Sequence, residues 1–255
     1  MPGVILGSAR TATGKFGGSL LPLRAVDLGA TAMQGALERS GVEGTQIDEV
    51  IFGQVLQAGE GQITARQAAT RAGIPMTVPA ITINKVCLSG LAAIGLADRS
   101  IRLGESRFAM TGGMESMSNA PYVMPTTRWG ARIGNTLMVD VLQHDGLYCP
   151  FDHCTMGESA DQQNEQLGVS REEQDEWSVR SHERAHQATE SGAMAREIVP
   201  IAVPQRKENP IIIDRDEGIR AGITVESLSQ LNPAFRGDGT ITAGNASQIS
   251  DGGAA

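Results

Sequence analysis

The strongest constraint on this chain is an alternation that runs through its first 118 residues. Short apolar, β-rich runs at residues 4–6, 49–56, 80–83 and 107–111 are separated by Ala-rich stretches with helical spacing. Between residues 25 and 39, Val26, Ala30, Met33 and Leu37 fall on one helical face, and Gly41 stops the run. A second helical stretch, 64–72, is halted by Gly73 and Pro75, and a third covers 88–103. Parallel strands need a long crossover, usually a helix, whereas antiparallel neighbours can be joined by a tight turn. The alternation therefore predicts an α/β fold built on a mainly parallel sheet with right-handed crossovers.

After residue 118 the rhythm is lost. Residues 120–157 are rich in Pro, Gly, Met and polar side chains and read as a long excursion, the kind that serves function or assembly. Ser170-Arg171-Glu172-Glu173 is a capping box that opens a helix to about residue 190. Short strands follow at 198–203 and 211–213, and 239–244 reads as re-entry into the core. The expected division is a core domain of residues 1–118 plus 239–255, with an inserted α+β domain at 119–238.

Composition narrows the function. Aromatic residues are only 4% of the chain, so the core is aliphatic, and the net charge of −8 argues against nucleic-acid binding. No apolar run approaches the ~20 residues of a membrane span, and the first residues lack the basic and apolar regions of a signal peptide. Three cysteines do not make a disulfide framework. A soluble, cytoplasmic protein is expected.

Cys87 is the sharpest chemical signal. It lies between an apolar strand and an Ala/Leu helix in Asn84-Lys85-Val86-Cys87-Leu88-Ser89-Gly90. A thiol at a helix N-terminus meets the positive end of the dipole and free N–H groups, which favour thiolate and an oxyanion. Gly90 would let a substrate chain come close. The plain alternative is a small buried side chain that packs there. Cys149, His153 and Cys154, with His144 nearby, offer four soft ligands in eleven residues. Their C-x3-H-C spacing fits no common zinc pairing, so packing or surface roles are favoured and no metal is expected. His182 and His186 share one helical face but lack an evident third ligand. The glycine runs at 14–18 and 112–113 match neither phosphate-loop nor dinucleotide patterns. Arg206, Lys207, Arg215 and Arg220 form a modest basic group, either phosphate-binding or scattered surface charge.

Taken together, the runs resemble the thiolase family, specifically its acetyl-CoA acetyltransferases. They include Ala9-Arg10-Thr11, Gly53 to Gln62, Ala65 to Ala69, Asn84 to Gly90, Gly112 to Met117 and Asp145-Gly146-Leu147. Met156-Gly157, Glu173-Gln174-Asp175, Asp216 to Arg220, Pro233-Ala234-Phe235 and Thr242 to Ser247 continue them in family order. The resemblance implies a thiolase-like layered fold whose inserted α+β loop domain covers coenzyme A. It implies Cys87 as the acylated nucleophile of a ping-pong acyl transfer: two acetyl-CoA condense to acetoacetyl-CoA, or CoA cleaves a 3-oxoacyl-CoA. By matched position, Leu147 and Met156 would line the pantetheine or acyl end, Arg220 and Ser227 the nucleotide end, and Ser247 the pantetheine. Coenzyme A thioester is then substrate, with no separate cofactor. Residues 121–147 would hold the excursion that family tetramers use for assembly, and a homodimer or homotetramer is implied.

Two departures from the family pattern stand out. Thr155 occupies a position where several members have His. The family's second core half, with its catalytic histidine and second cysteine, lies beyond the present sequence, so the core is expected to be incomplete. The alternative expectation is a non-catalytic remnant that binds CoA or pairs with another thiolase chain.

Overall fold

The computed structural model describes residues 3–255. In chain order the elements begin with β1 (Gly14–Lys15), α1 (Ala25–Ser40), β2 (Glu49–Gly53), α2 (Thr64–Arg71), β3 (Ala80–Ile83), α3 (Ser89–Leu103) and β4 (Ala109–Ser116). Four two-residue strands follow: β5 (Tyr122–Val123), β6 (Val139–Asp140), β7 (Tyr148–Cys149) and β8 (Cys154–Thr155). Then come α4 (Met156–Leu167), α5 (Arg171–Glu190), β9 (Ile201–Val203), β10 (Ile211–Ile213), α6 (Val225–Ser229) and β11 (Ser250–Ala254). The chain divides into two compact units. One runs up to Leu142 and takes in Ala195–Glu217 and Ile249–Ala255; the other comprises Gln143–Met194 and Gly218–Gln248.

The first unit is built on a five-stranded sheet in the order β1-β11-β4-β2-β3. β4, β2 and β3 are parallel, and β11 alone runs against the others. This is the mixed, mainly parallel α/β sheet that the alternation predicts. β2 shows why the helices take opposite faces. Val50 and Phe52 pack with Val26 and Met33 of α1 and with Ala65, Ala68 and Ala69 of α2. Ile51 points the other way, against Ala93 and Ala97 of α3, as the two-residue period of a strand requires. α3 buries only a small-residue stripe, Ser89, Ala93 and Ala97, which lets it lie close on the sheet.

Residues 4–6 correct one expectation. They form no strand, no ladder pairs them with another described segment, and Val4 and Ile5 are exposed. Pairing instead begins at Ala9, whose N–H donates to the Ala255 carbonyl while the Ala255 N–H donates back at 2.9 Å. β2 also ends earlier than expected, at Gly53, and β4 runs on through Gly112-Gly113 to Ser116. The buried Asp251 fixes β11 by accepting the Ser118 N–H at 2.9 Å and the Ser118 hydroxyl at 2.5 Å. Arg10 grips Asp216 through its two terminal guanidinium nitrogens, at 2.7 and 3.0 Å, and reaches Glu197 through Nε.

The second unit is organised by two buried carboxylates. Asp161 of α4 accepts the N–H groups of Thr240 and Ile241 at 2.8 and 3.0 Å. Asp175 of α5 is paired with Arg171 at 2.7 Å and accepts the Asn245 amide at 2.9 Å. Residues 240–246 are thereby folded into this unit, and the chain rejoins the sheet only at residue 249, later than the expected re-entry at 239. Residues 119–142 and 195–217 pack with the first compact unit. The capping box at Ser170 forms as its spacing predicts. Among the described residues no helix is long and apolar enough to cross a membrane.

Candidate active site

Cys87 sits where β3 gives way to α3, on the side of the sheet to which the parallel strands run. In open parallel sheets this edge is where ligands bind. The thiol-bearing residue is exposed, which excludes the alternative of a packed core cysteine within this chain. The turn that presents it is tied from several sides. Ser89 Oγ accepts the Lys85 N–H at 2.8 Å and donates to the Val86 carbonyl at 2.6 Å, while Asn84 Oδ1 accepts the Val86 N–H at 2.9 Å. Val86 is held at φ +50°, a left-handed conformation that a β-branched residue avoids. Backbone strain of this kind costs about 1–3 kcal/mol and persists only where the surroundings over-determine it. Here the surroundings are Asn84 and Ser89, which hold the Val86 N–H and carbonyl.

The helix start that carries this turn is packed against the strand ends with no spare room. A Cβ on Gly53 would lie 2.6 Å from Ser89 Cβ and 2.9 Å from Gly90 N. Gly90 faces the backbone of Gly112 and Gly113, where an added Cβ would meet atoms at 3.7 and 3.8 Å, an ordinary contact. Gly90 therefore lies against strand β4, a neighbour that the sequence reading did not assign to it.

Glu115, not singled out from the sequence as a site residue, supports the same region. It is half-buried near the end of β4, and its carboxylate accepts the N–H groups of Val55 and Leu56 at 2.8 and 3.1 Å. Burial pushes this carboxyl up despite those two hydrogen bonds, with the charges of Glu60 and Asp251 adding to the effect. The Val55 carbonyl in turn accepts from Asn84 at 3.5 Å. A chain of contacts thus runs from Glu115 through the loop after β2 to the turn at Cys87. The sequence signals for it were its place two residues beyond a Gly-Gly and its inclusion in the Gly112 to Met117 run.

The other expected site residues, Leu147, Met156, Arg220, Ser227 and Ser247, all lie in the second unit. Leu147 ends a π-helical turn, Leu142–Leu147, and Met156 opens α4. The β7–β8 register, Tyr148 opposite Thr155, brings these two to the open end of one hairpin. Thr155, at the position of family variation, is the N-cap of α4 in a capping box with Glu158. Arg220 donates its N–H to His182 Nδ1 at 3.1 Å and reaches the Ala243 carbonyl at 3.4 Å. Burial, and then the nearby Arg220 charge, hold the His182 imidazole below its ordinary range. Gln248 donates to the Gly218 carbonyl at 2.9 Å, so the segments that carry Arg220 and Ser247 run side by side. Ser227 is exposed, but its hydroxyl is engaged in the capping box of α6 with Thr224. Asp216 and Glu217, which adjoin Arg220 in sequence, belong to the first unit, where Glu217 accepts the Lys15 and Ser19 N–H groups.

Among the described residues, no group of three or more His, Cys, Asp or Glu side chains is placed to hold a metal ion. Cys149 and Cys154 face each other in the β7–β8 hairpin, and His153, at φ +53°, lies in its loop.

Comparison with known proteins agrees over nearly the whole chain. The family model described as thiolase, N-terminal domain, matches residues 3–255. A probable acetyl-CoA acetyltransferase of Mycolicibacterium smegmatis is 51% identical over 252 residues, 99% of this chain and 65% of that protein. An acetyl-CoA acetyltransferase of Pseudomonas aeruginosa is 50% identical, over 99% of this chain and 64% of its own length. The crystal structure of the Bacillus anthracis acetyl-CoA acetyltransferase superposes with a TM-score of 0.94 at 43% identity, covering 98% of this chain and 63% of that one. The chain therefore spans somewhat under two thirds of the length of these relatives.

Proposed function

The chain belongs to the thiolase family, whose N-terminal domain it matches along nearly its full length, and on that basis we propose that it takes part in acyl transfer from coenzyme A thioesters, with Cys87 as the nucleophile. The observation that carries the reading is an exposed cysteine on a strained, hydrogen-bonded turn at the head of α3. The Cys87 sulfur attacks the thioester carbonyl. Its proton and the departing thiolate leave as free CoA, and the acyl group remains on Cys87. An acetyl-CoA that gives up a methyl proton then attacks that acyl group as its enolate. The bond to the Cys87 sulfur breaks, the thiolate takes back a proton, and acetoacetyl-CoA leaves. In the reverse sense, CoA attacks the acyl-enzyme and releases a shortened acyl-CoA.

Leu147 and Met156 are assigned to the acyl or pantetheine end, Arg220 and Ser227 to the nucleotide, and Ser247 to the pantetheine. The proximity of the Arg220 and Ser247 segments, and of Leu147 to Met156, supports that grouping. A guanidinium suits a phosphate. Residues 119–238 are proposed as the CoA-covering loop domain, with the 121–147 excursion serving homo-oligomer assembly in the cytoplasm. A second, non-catalytic reading, in which the chain pairs with another thiolase chain, draws on α3, where Leu91, Ile94 and Leu96 are exposed apolar residues.

Intact mass before and after acetyl-CoA, compared with Cys87→Ala, tests the nucleophile. The expected result is one acetyl group on the wild type and none on the variant. Acetylation that survives Cys87→Ala, or no acetylation of a folded wild-type protein, overturns it.

A further inference from the structure

Two of the three cysteines face each other across one hairpin. In the antiparallel β7–β8 pair, Cys149 lies opposite Cys154, and both thiols are free. Residues opposite each other in such a pair share a face, with Cα atoms about 4.5 or 5.5 Å apart according to the kind of pair. Disulfides span Cα separations of about 4.4–6.8 Å, so either kind of pair leaves the two Cα atoms at a separation that a disulfide bridges without moving the strands. The two cysteines also interact electrostatically: after burial and Asp152, Cys149 is the next influence raising the Cys154 thiol.

In the reduced hairpin Cys149 donates its S–H to Asp152 Oδ2 at 3.3 Å and accepts the Asp152 N–H at 3.4 Å. Cys149 is half-buried, whereas Cys154 is buried. The first is therefore accessible to a small oxidant, and the second is reached from within.

We propose that Cys149 and Cys154 form a thiol–disulfide modification site whose oxidant is a small disulfide of the glutathione class. Deprotonated Cys149 attacks the S–S bond of the oxidant, forms a mixed disulfide and releases one thiol. Cys154 attacks the Cys149 sulfur and passes its proton to the departing thiolate, forming the internal S–S bond and releasing the second thiol. The two protein thiols lose two electrons, and the oxidant is reduced to two thiols. The bond closes the four-residue loop 150–153 and ties the strand after Leu147 to the residue before the N-cap of α4. A consequence for acyl binding, through Leu147 and Met156, rests on the thiolase reading above; the crosslink itself does not.

The test uses the intact reduced protein, equilibrated without oxygen in glutathione buffers from fully reduced to fully oxidised, acid-quenched, alkylated and digested with trypsin. Residues 133–171 hold both cysteines and no Lys or Arg before Arg171, so both report in one peptide and Cys87 in another. The expected product is that peptide lighter by two hydrogens and lacking both alkyl groups. It should accumulate as the buffer becomes oxidising, revert with dithiothreitol, and be lost in Cys149→Ser. Full double alkylation in oxidised buffer overturns the proposal, as does glutathione retained on Cys149, or a bond from either cysteine to Cys87. Acetyl uptake by Cys87, measured on the same reduced sample, reports separately on the thiolase reading.

Discussion

Replacing Gly53 by Ala tests whether the head of α3 is held as tightly as its contacts indicate. Gly53 is the last residue of β2 and its φ is not in the left-handed region, so Ala meets no backbone barrier there. With no steric conflict the change would stabilise the strand by about 0.5–1 kcal/mol, since Gly loses more chain entropy on folding. The new methyl, however, would lie 2.6 Å from Ser89 Cβ and 2.8 Å from the Ser89 carbonyl carbon. Carbon contacts favour about 3.5–4.0 Å, so α3 must retreat by about 1 Å. Overpacking of this kind costs about 1–3 kcal/mol, which in a chain of this size lowers Tm by roughly 2–10 °C. The same displacement moves the Cys87 turn, and misplacement by about 1 Å reduces a reaction that depends on alignment by up to about 10²-fold. Thermal unfolding and the rate of acetyl uptake measure the two effects. Gly95→Ala, on an exposed face of α3 with nothing within 4 Å of the new methyl, is the matched control and should stabilise by about 1 kcal/mol. A Gly53→Ala protein as stable as the wild type, with unchanged Cys87 reactivity, would refute the tight-packing argument.

Glu115 keeps a raised carboxyl in the folded state, so in the window above the ordinary carboxylate range the native protein binds the extra proton. Stability should therefore fall as pH rises through that window; denaturant unfolding of Glu115→Gln should lose this slope, at a cost of about 1–3 kcal/mol at low pH for one backbone N–H left without its acceptor. His182 has the opposite sign. Its value is depressed, so stability should drop as pH falls from the ordinary histidine value of about 6.5, and NMR titration of Arg220→Gln should place the His182 midpoint higher. Asp175→Ala leaves the Arg171 guanidinium and the Asn245 amide without their shared acceptor. Breaking a buried pair costs about 3–5 kcal/mol; the Arg171 side chain keeps 25% exposure, so the lower figure applies, and hydrogen exchange should show lost protection at residues 240–246.

Much of the frame was legible in the residues because local patterns carried it. The three helices of the first unit fall within one or two residues of their expected ends, since Gly41, Gly73 and Gly104 punctuate apolar stretches at helical spacing. The Ser170 box was readable for a similar reason: its hydrogen bonds join residues three apart. Long-range partners were not readable. The run Val4-Ile5-Leu6 is apolar and β-prone, yet a strand exists only where another strand completes its ladder. Residues 239–244 look like a returning strand, but Asp161, some 80 positions earlier, folds them into the second unit instead.

The site divides in the same way. The sequence by itself determined the α/β class, the family, and the position of Cys87 between strand and helix, because strand, turn and helix propensities act over a few residues. Only the tertiary structure decided that Val86 is forced to a positive φ, that Gly53 and Glu115 brace the turn, and that Cys149 meets Cys154. Each of these depends on which atoms come within a few ångströms of one another. That follows from packing and strand register, which the chain settles only once it has folded.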